Sequence, residues 1–403
     1  MDIAVRPCTS VAELRDALNA ISHYFGSENS LEDAERFAQW IEVDRIHAAF
    51  DDGRIVGGAG AFGFRMSVPG GEVPAAGVTV VGVLPTHRRR GVLSSMMKAQ
   101  LADCRDRGDR VAYLWASEGT IYGRFGYGLA SRMGAMRLAR ERTHFAQTFE
   151  PRGTVRLVEL DEAARTFPPL YDAVRAQRPG TFARSKEWWE TRKLFDDPAR
   201  RQGGPLHRAL LELDGKPAGY ALYRVKQDWH SGASKGTVTI VEAVAPTPEA
   251  TRELWRWLLD FDWTSELTAD LLPLDHPLFL LLAEPRRMQF TINDGVWVRL
   301  VDVGGALSAR SYTGDGEIVL EVADAFLPEN AGRWSVGADG AVRTAAAADL
   351  RLDVSALGTV YLGGFGFGEL VRASRVEELT AGAATRADAL FRTAMLPWCA
   401  EIF

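Results

Sequence analysis

Between Val78 and Gly91 the chain reads VTVVGVLPTHRRRG, and this run restricts the fold more than any other segment. The β-branched stretch through Val81-Gly82-Val83 specifies a buried strand. Pro85 ends that strand, and Arg88-Arg89-Arg90-Gly91 lead into an apolar-faced helix. Strand, basic turn and helix N-terminus in series gather backbone N–H groups, the positive end of a helix dipole and guanidinium charge at one point. Such a point suits a pyrophosphate and implies an α/β enzyme that grips a phosphorylated cofactor. Most charge runs are solvated faces. This triplet stands between strand and helix, with Gly91 where the backbone must approach a ligand, and that placement favours the phosphate role. Gly82 inside the strand marks either a bulge or a close ligand approach. An amide-bearing arm would pair with Val81–Val83 as an added strand does.

The rest of the first 133 residues supports the same α/β unit. Ile3–Val5 reads as a strand and Ser10–Ile21 as a helix, with Ser10 as N-cap and Glu13 three residues on. Ile46–Phe50 and Arg54–Phe62 form a hairpin over Asp51-Asp52-Gly53. Gly77–Leu84 is the central strand. Gly91–Asp106 is a helix with Leu93, Met96, Met97, Leu101 and Cys104 on one face, stopped at Gly108, and Val111–Ala116 is the next strand. A second unit, from about Met133 to Asn293, repeats this logic. Val241–Phe261 reads strand, Pro246, apolar-faced helix, in the layout of Val80–Leu101. With Pro246 laid on Pro85, Glu249-Ala250-Thr251 replace the arginines and Arg252 replaces Gly91, so the copy lacks the positive nest. From about Asp294 to Phe403, short strands (the first Val296–Val303) precede helical patterns, which indicates α+β.

Candidate chemistry lies in ASEGTIYGRFGYG, Ala116–Gly128. Tyr122 and Tyr127 are either turn and core tyrosines or the source of a proton for a leaving thiolate, and sequence position alone does not separate the two. Glu118 reads as a backbone cap rather than a base. His23, Tyr24, Phe25, Phe37 and Trp40 either line a substrate cleft or pack a helical lid.

At this point the residues resemble a family. The Pro-Thr-His-Arg-Arg-Arg-Gly turn and the Ala-Ser-Glu-Gly-x-Ile-Tyr-Gly-Arg-Phe-Gly-Tyr-Gly loop are similar to the enhanced intracellular survival (Eis) group of GNAT acetyltransferases. Gly219–Val225 and Val296-Trp297-Val298-Arg299 fit the same family's later domains. The resemblance implies tandem GNAT folds, the second degenerate, over 1–133 and 134–293, followed by a sterol-carrier-protein-like domain over 294–403. It implies acetyl-CoA along Val81, Gly82 and Val83, with the pyrophosphate at Arg88, Arg89, Arg90, Gly91 and Val92, and with Ser117 and Arg124 beside the CoA arm. Tyr122 matches the family's general acid. The family's base is the main-chain carboxylate of the last residue, here Phe403, with Glu401 as the nearby acid. Phe25, Trp40, Trp115 and Glu401 are the expected acceptor-binding residues. Leu93 replaces the second small residue of the generic GNAT signature, a larger residue that the Eis group tolerates. Trp115 stands where some relatives carry a smaller or polar group, so the acceptor pocket is expected to differ in size. The expected acceptors are amines of polycations, aminoglycosides first, then polyamines or a peptide lysine. The expected assembly is a cytoplasmic homohexamer.

Composition narrows the remaining classes. With 403 residues, 46% hydrophobic and 25% charged, the chain has the balance of a globular protein of two or three domains. Its net charge of −6 argues against a nucleic-acid partner and suits cationic ligands. Three scattered cysteines and seven unclustered histidines give neither a disulfide framework nor a metal site. No apolar run is long enough to span a membrane, and the N-terminus lacks a signal-peptide core. The rival from another class is an acyl-CoA or lipid-binding sensor without turnover, and the intact arginine turn together with Tyr122 favours catalysis over it.

Overall fold

The computed structural model describes residues 3–197 and 203–403. They fall into two compact units. One runs to Ser131 and resumes with Gly295–Pro397 and Ile402–Phe403; the other is Arg132–Asp294 with Trp398–Glu401.

The first unit opens with β1 (Ala4–Pro7), α1 (Val11–Ser22), α2 (Leu31–Phe37), β2 (Ile46–Asp51), β3 (Arg54–Val68) and β4 (Gly71–Val83). It continues with α3 (Val92–Asp106), β5 (Val111–Trp115), α4 (Gly119–Tyr122) and β6 (Gly128–Leu129). Ser10 caps α1 as expected, accepting the Glu13 N–H. The Glu13 carboxylate does not close the capping box; it binds the Arg6 guanidinium and the Thr9 N–H. Asp52 and Gly53 both have positive φ, 46° and 77°, the twist a two-residue hairpin loop needs. Strands β3 and β4 are longer than the apolar pattern suggests. Their pairing runs from Gly57–Val83 to Val68–Gly71, over a turn at Pro69-Gly70. The polar residues Arg65 and Glu72 that interrupt the pattern are exposed and pair with each other across the hairpin at 2.5 Å.

The second unit comprises β7 (Arg132–Ala139), β8 (Thr154–Leu157), α5 (Leu160–Arg175), α6 (Lys186–Trp188), β9 (Leu206–Leu213), β10 (Lys216–Lys226) and the short pair β11 (Trp229–His230) and β12 (Ala233–Ser234). Then come β13 (Thr237–Val244), α7 (Pro248–Leu258), β14 (Glu266–Leu272), α8 (Leu278–Leu281) and β15 (Thr291–Asp294). Its sheet order is β15-β7-β14-β13-β10-β9-β8, and β13 and β14 are parallel. The repeated strand–Pro–helix layout thus appears as β13 and α7.

The next strand, β16 (Val296–Leu300), corrects the sequence-based picture. It does not join the C-terminal strands. It inserts between β5 and β6, so that the first sheet runs β1-β2-β3-β4-β5-β16-β6. After α9 (Val303–Ser308), the strands β17 (Glu317–Ala323), β18 (Gly332–Gly337), β19 (Gly340–Arg343), β20 (Leu350–Asp353) and, past two helices, β21 (Val376–Glu378) form a separate sheet ordered β19-β18-β17-β20-β21. Helices α10 (Val354–Tyr361), α11 (Phe367–Arg372) and α12 (Ala383–Phe391) complete the α+β part. Among the described residues, no helix is long and apolar enough to cross a membrane.

The first sheet is covered on both faces. A Cβ at Gly57 would meet the Met96 side chain of α3. At Gly58 it would stand 2.6 Å from the Ala17 carbonyl of α1, and at Gly82 2.7 Å from Ile21 Cα. Gly82 is therefore required by the approach of α1. Gly58→Ala is expected to lower unfolding stability by about 1–3 kcal/mol through overpacking, measurable as a shifted urea midpoint at unchanged slope.

Candidate active site

Strands β4 and β5 are parallel neighbours only over Ala75–Gly77 against Val111–Tyr113. Beyond Gly77 the pairing stops and the sheet is split. Within the unpaired half of β4, Gly82 faces Gly58 and Thr79 faces Gly60, so Val80 and Val81 together oppose Ala59. This is a bulge, with Val80 at φ 48°. It leaves one residue out of the β3 ladder beside the split, on the segment where the sequence expects a ligand arm.

The split leads toward the arginine turn. Pro85–His87 is a short 3₁₀ turn, and the His87 Nε2 lies 3.0 Å from the Asp51 carboxylate. Arg88, Arg89 and Arg90 are exposed. Arg89 and Gly91 take left-handed conformations, φ 62° and 81°. Gly91 is the N-cap of α3 and has no side chain to bond the first-turn N–H groups. An anion meets these amides without competition. Val92, the first helical residue, is buried against Met96 and Val56. Val81 and Val83 are half-buried, and the Val83 carbonyl accepts from the Tyr24 hydroxyl at 2.7 Å. Turn and split together fit a donor with an anionic end and an amide-bearing arm.

Side-chain alternation sorts the remaining candidates between the two faces of the sheet. On the α3 face, Tyr122 is buried with Val78, Met97, Leu101, Leu114 and Tyr127. Burial, and secondarily Glu118, pushes the Tyr122 phenol up to about 12, so it stays protonated through neutral pH. Glu118 is the N-cap residue of α4, but its side chain makes no capping bond. Tyr127 is completely buried, in the core rather than a cleft. Ser117 and Arg124 are exposed beside α4, and Arg124 Nε donates to the Ile121 carbonyl at 3.0 Å.

On the opposite face, Gly77 and Tyr113 flank the start of the split, and Phe403 sits on them. Its ring lies 4.8 Å from Tyr113 and 5.3 Å from Phe64, centroid to centroid, both edge-on. A Cβ at Gly77 would stand 3.2 Å from Phe403 Cε2. The last residue of the chain is only 8% exposed, which is a docked terminus and not a frayed one. Phe62 and Phe37 extend this aromatic group, and Trp40 stacks edge-on with Phe37. Of the aromatic residues the sequence could not assign, Phe37 and Trp40 therefore lead to the terminus. Phe25 is 70% exposed, on a 3₁₀ turn. Trp115, at the end of β5, is half-buried. Phe62, Phe64 and Tyr113 were not singled out from sequence; the alternation Phe62-Gly63-Phe64 was the available signal.

Glu401, expected beside the acceptor, has its carboxylate in the second unit. It lies 3.1 Å from Arg184 Nη2 and accepts from Trp188 Nε1 at 3.1 Å. Among the described residues, no group of His, Cys, Asp and Glu is arranged to hold a metal.

Models of the acetyltransferase (GNAT) domain match residues 4–130 and 180–300, and the sterol carrier protein domain matches 303–400. An uncharacterized N-acetyltransferase of Streptomyces avermitilis is 41% identical over 388 residues, 94% of each chain. N-acetyltransferase Eis of Mycobacterium tuberculosis is 36% identical over 351 residues, 84% of this chain and 83% of its own. The crystal structure of Eis1 from Mycobacterium abscessus superposes with a TM-score of 0.86 at 36% identity, covering 99% of this chain and all of the other. With two GNAT domains, a sterol-carrier-type domain and this degree of identity along nearly its whole length, the chain is an acetyltransferase that belongs to the Eis family of GNAT N-acetyltransferases.

Proposed function

We propose that this enzyme moves the acetyl group of acetyl-CoA, the donor GNAT acetyltransferases use, to amines of polycationic small molecules. Aminoglycosides are the leading acceptors, at more than one position, with polyamines and peptide lysines next. One observation carries this reading: the split between β4 and β5 has a protonated phenol, Tyr122, in the core of one face and the terminal residue, Phe403, docked on the other.

Acetyl-CoA supplies an activated acyl carbon and a thiolate leaving group. Arg88, Arg89, Arg90 and the uncapped N–H groups following Gly91 hold the pyrophosphate, with Ser117 and Arg124 beside the arm. Backbone amides of the bulge near Val81 polarise the acyl oxygen. The Phe403 carboxylate ionises near pH 3.5 in its ordinary state. It attracts an ammonium and takes its proton directly or through a water. The freed amine attacks the acyl carbon, the C–S bond breaks, and Tyr122 gives its proton to the departing sulfur and regains one through solvent as the new amide nitrogen loses its second proton. Phe25, Trp40 and Trp115 contact the acceptor. The modules are assigned to 1–133, 134–293 and 294–403, the third lending β16 to the sheet of the first, and the assembly is assigned as a cytoplasmic homohexamer.

Thiol release from acetyl-CoA is the test, with tobramycin, neomycin, spermidine, a lysine peptide and no acceptor compared in parallel. Release with the aminoglycosides, with product masses rising by whole acetyl groups, supports the reading. Acetyl-CoA binding without turnover on any acceptor supports the sensor alternative. Tyr122→Phe is expected to lower kcat by about 10²–10⁴-fold at unchanged acetyl-CoA affinity. Because the phenol is held near 12, the unaltered enzyme should show no falling limb from Tyr122 between pH 7 and 10. A descending limb there that Tyr122→Phe abolishes would overturn the raised pKa of this phenol, whereas unchanged kcat in Tyr122→Phe would overturn its role as the acid.

A further inference from the structure

We propose that the split strand pair of the second unit is a receptor for the chain's own residues 398–401, and that Glu401 is a positioning residue for the terminal carboxylate. The positioning half rests on the reading of Phe403 as base. The docking half does not.

The second unit retains the architecture that opens the first. With Pro246 laid on Pro85, Val241 falls on Val80 and Glu242 on Val81. Leu222 of β10 faces Glu242 of β13 and Tyr223 faces Ile240, so Val241 is an extra residue in β13, a bulge at the position equivalent to that in β4. The parallel pairing of β13 with β14 ends at Ile240–Ala269, leaving the remaining halves apart. The difference is chemical. The place of Val81 is taken by a buried carboxylate, Glu242, bound by both Nη atoms of Arg184 at 3.0 and 2.6 Å, by Lys193 Nζ at 2.9 Å and by the Tyr220 hydroxyl at 2.6 Å.

The tail completes this cluster. Trp398 donates its amide to the Pro179 carbonyl at 2.8 Å and its indole N–H to the Leu271 carbonyl, on the unpaired half of β14. Trp398 and Ala400 are buried among Phe167, Tyr171, Trp189, Tyr220 and Val244. Glu401 reaches Arg184 and Trp188, with Lys193 and Arg192 each at 3.9 Å. Three cations, Arg184, Lys193 and Arg192, thus face two carboxylates, one from β13 and one from the tail. Glu242 alone leaves an excess of positive charge, so the site selects an acidic residue at this point of the tail. Phe403 follows Glu401 by two residues, and fixing Glu401 limits where the terminal carboxylate can lie to a span of about 7 Å of chain.

Carboxypeptidase A, which removes exposed C-terminal aromatic residues, tests the docking with intact-mass readout. The unaltered chain should resist loss of Phe403, and Glu401→Gln should be trimmed at least about tenfold faster. Rapid trimming of the unaltered chain, or equal rates for both, overturns the proposal without reference to activity. Kinetics test the positioning. Glu401→Gln should lower kcat by about tenfold to a hundredfold with KM for donor and acceptor nearly unchanged, and Glu401→Asp should recover part of the loss. Faster trimming at unaltered kcat would overturn the positioning role while the docking stands; the Phe403 base falls separately, by full turnover of a chain ending in a Phe403 carboxamide.

Discussion

Deletion of Phe403 alone is expected to lower kcat by about 10²–10⁴-fold while acetyl-CoA binds as it does to the full chain. The new terminus would be Ile402, which is 56% exposed and has no aromatic seat. Its carboxylate would lie one residue back, a displacement of about 3.5 Å, and misplacement of a reacting group by 1 Å already removes about 10²-fold. Ring and carboxylate can be separated. Phe403→Leu keeps the charge and part of the packing against Phe64 and Tyr113 and should retain much of the rate. A semisynthetic Phe403 carboxamide keeps the ring, loses the charge and should fall with the deletion. Thiol-release kinetics with calorimetric acetyl-CoA titration distinguish these cases. Full turnover by the carboxamide would remove the terminal carboxylate from the mechanism.

The second large effect concerns stability. Arg184→Ala should destabilise the protein by about 3–5 kcal/mol, the usual consequence of stranding a buried charge. The Arg184 side chain is fully buried, as is that of Glu242, and its guanidinium also stacks 4.0 Å from the Tyr171 ring centre. Breaking the exposed pair Arg351–Glu377 should change stability by about 1 kcal/mol or less. Urea unfolding followed by tryptophan fluorescence compares the two. The pH dependence has a definite sign. Burial opposes ionisation of Glu242, but Arg184 and Lys193 outweigh it and hold the carboxyl down to about 2, below its ordinary 4.5. The folded state binds this proton less readily than the unfolded state. The contribution is therefore complete above about pH 4.5 and is lost as pH falls toward 2. Arg184→Ala should flatten that acid limb, and an unchanged slope would contradict the pairing.

Local pattern revealed what local physics determines. The Asp51-Asp52-Gly53 hairpin, the apolar stripe of α3 and the arginine turn were legible because neighbouring residues specify them. So was the second copy of strand, proline and helix, since it repeats a spacing. The position of β16 was not legible: Val296–Leu300 alternates like any strand, and nothing within it names a partner some 180 residues earlier in the chain. The full length of β3 and β4 was hidden by polar residues, Arg65 and Glu72, that meet only across the folded hairpin. Tyr122 and Phe403 came from family resemblance, and their environments came from the structure: Tyr122 is in the core, and Phe403 is seated on Gly77 by aromatic residues whose alternation carried only a weak signal. Glu401 reads from the family resemblance as an acceptor-binding acid, and the long-range pairing of its carboxylate with Arg184 was not legible, because nothing near it in sequence names that partner.

The insertion of β16 between β5 and β6 also sets a timetable for biosynthesis. When the ribosome has delivered β5 and β6, the strand that belongs between them does not yet exist. At translation rates of about 5–20 residues per second, roughly ten to forty seconds pass before it emerges. During that interval the nascent sheet ends in an unsatisfied ladder edge at β5, with β6 unpaired beside it, the kind of surface that recruits chaperones or a neighbouring chain. A fragment ending at Ser131 would stay in that condition permanently, whereas the intact polypeptide closes its first sheet with one of its later strands.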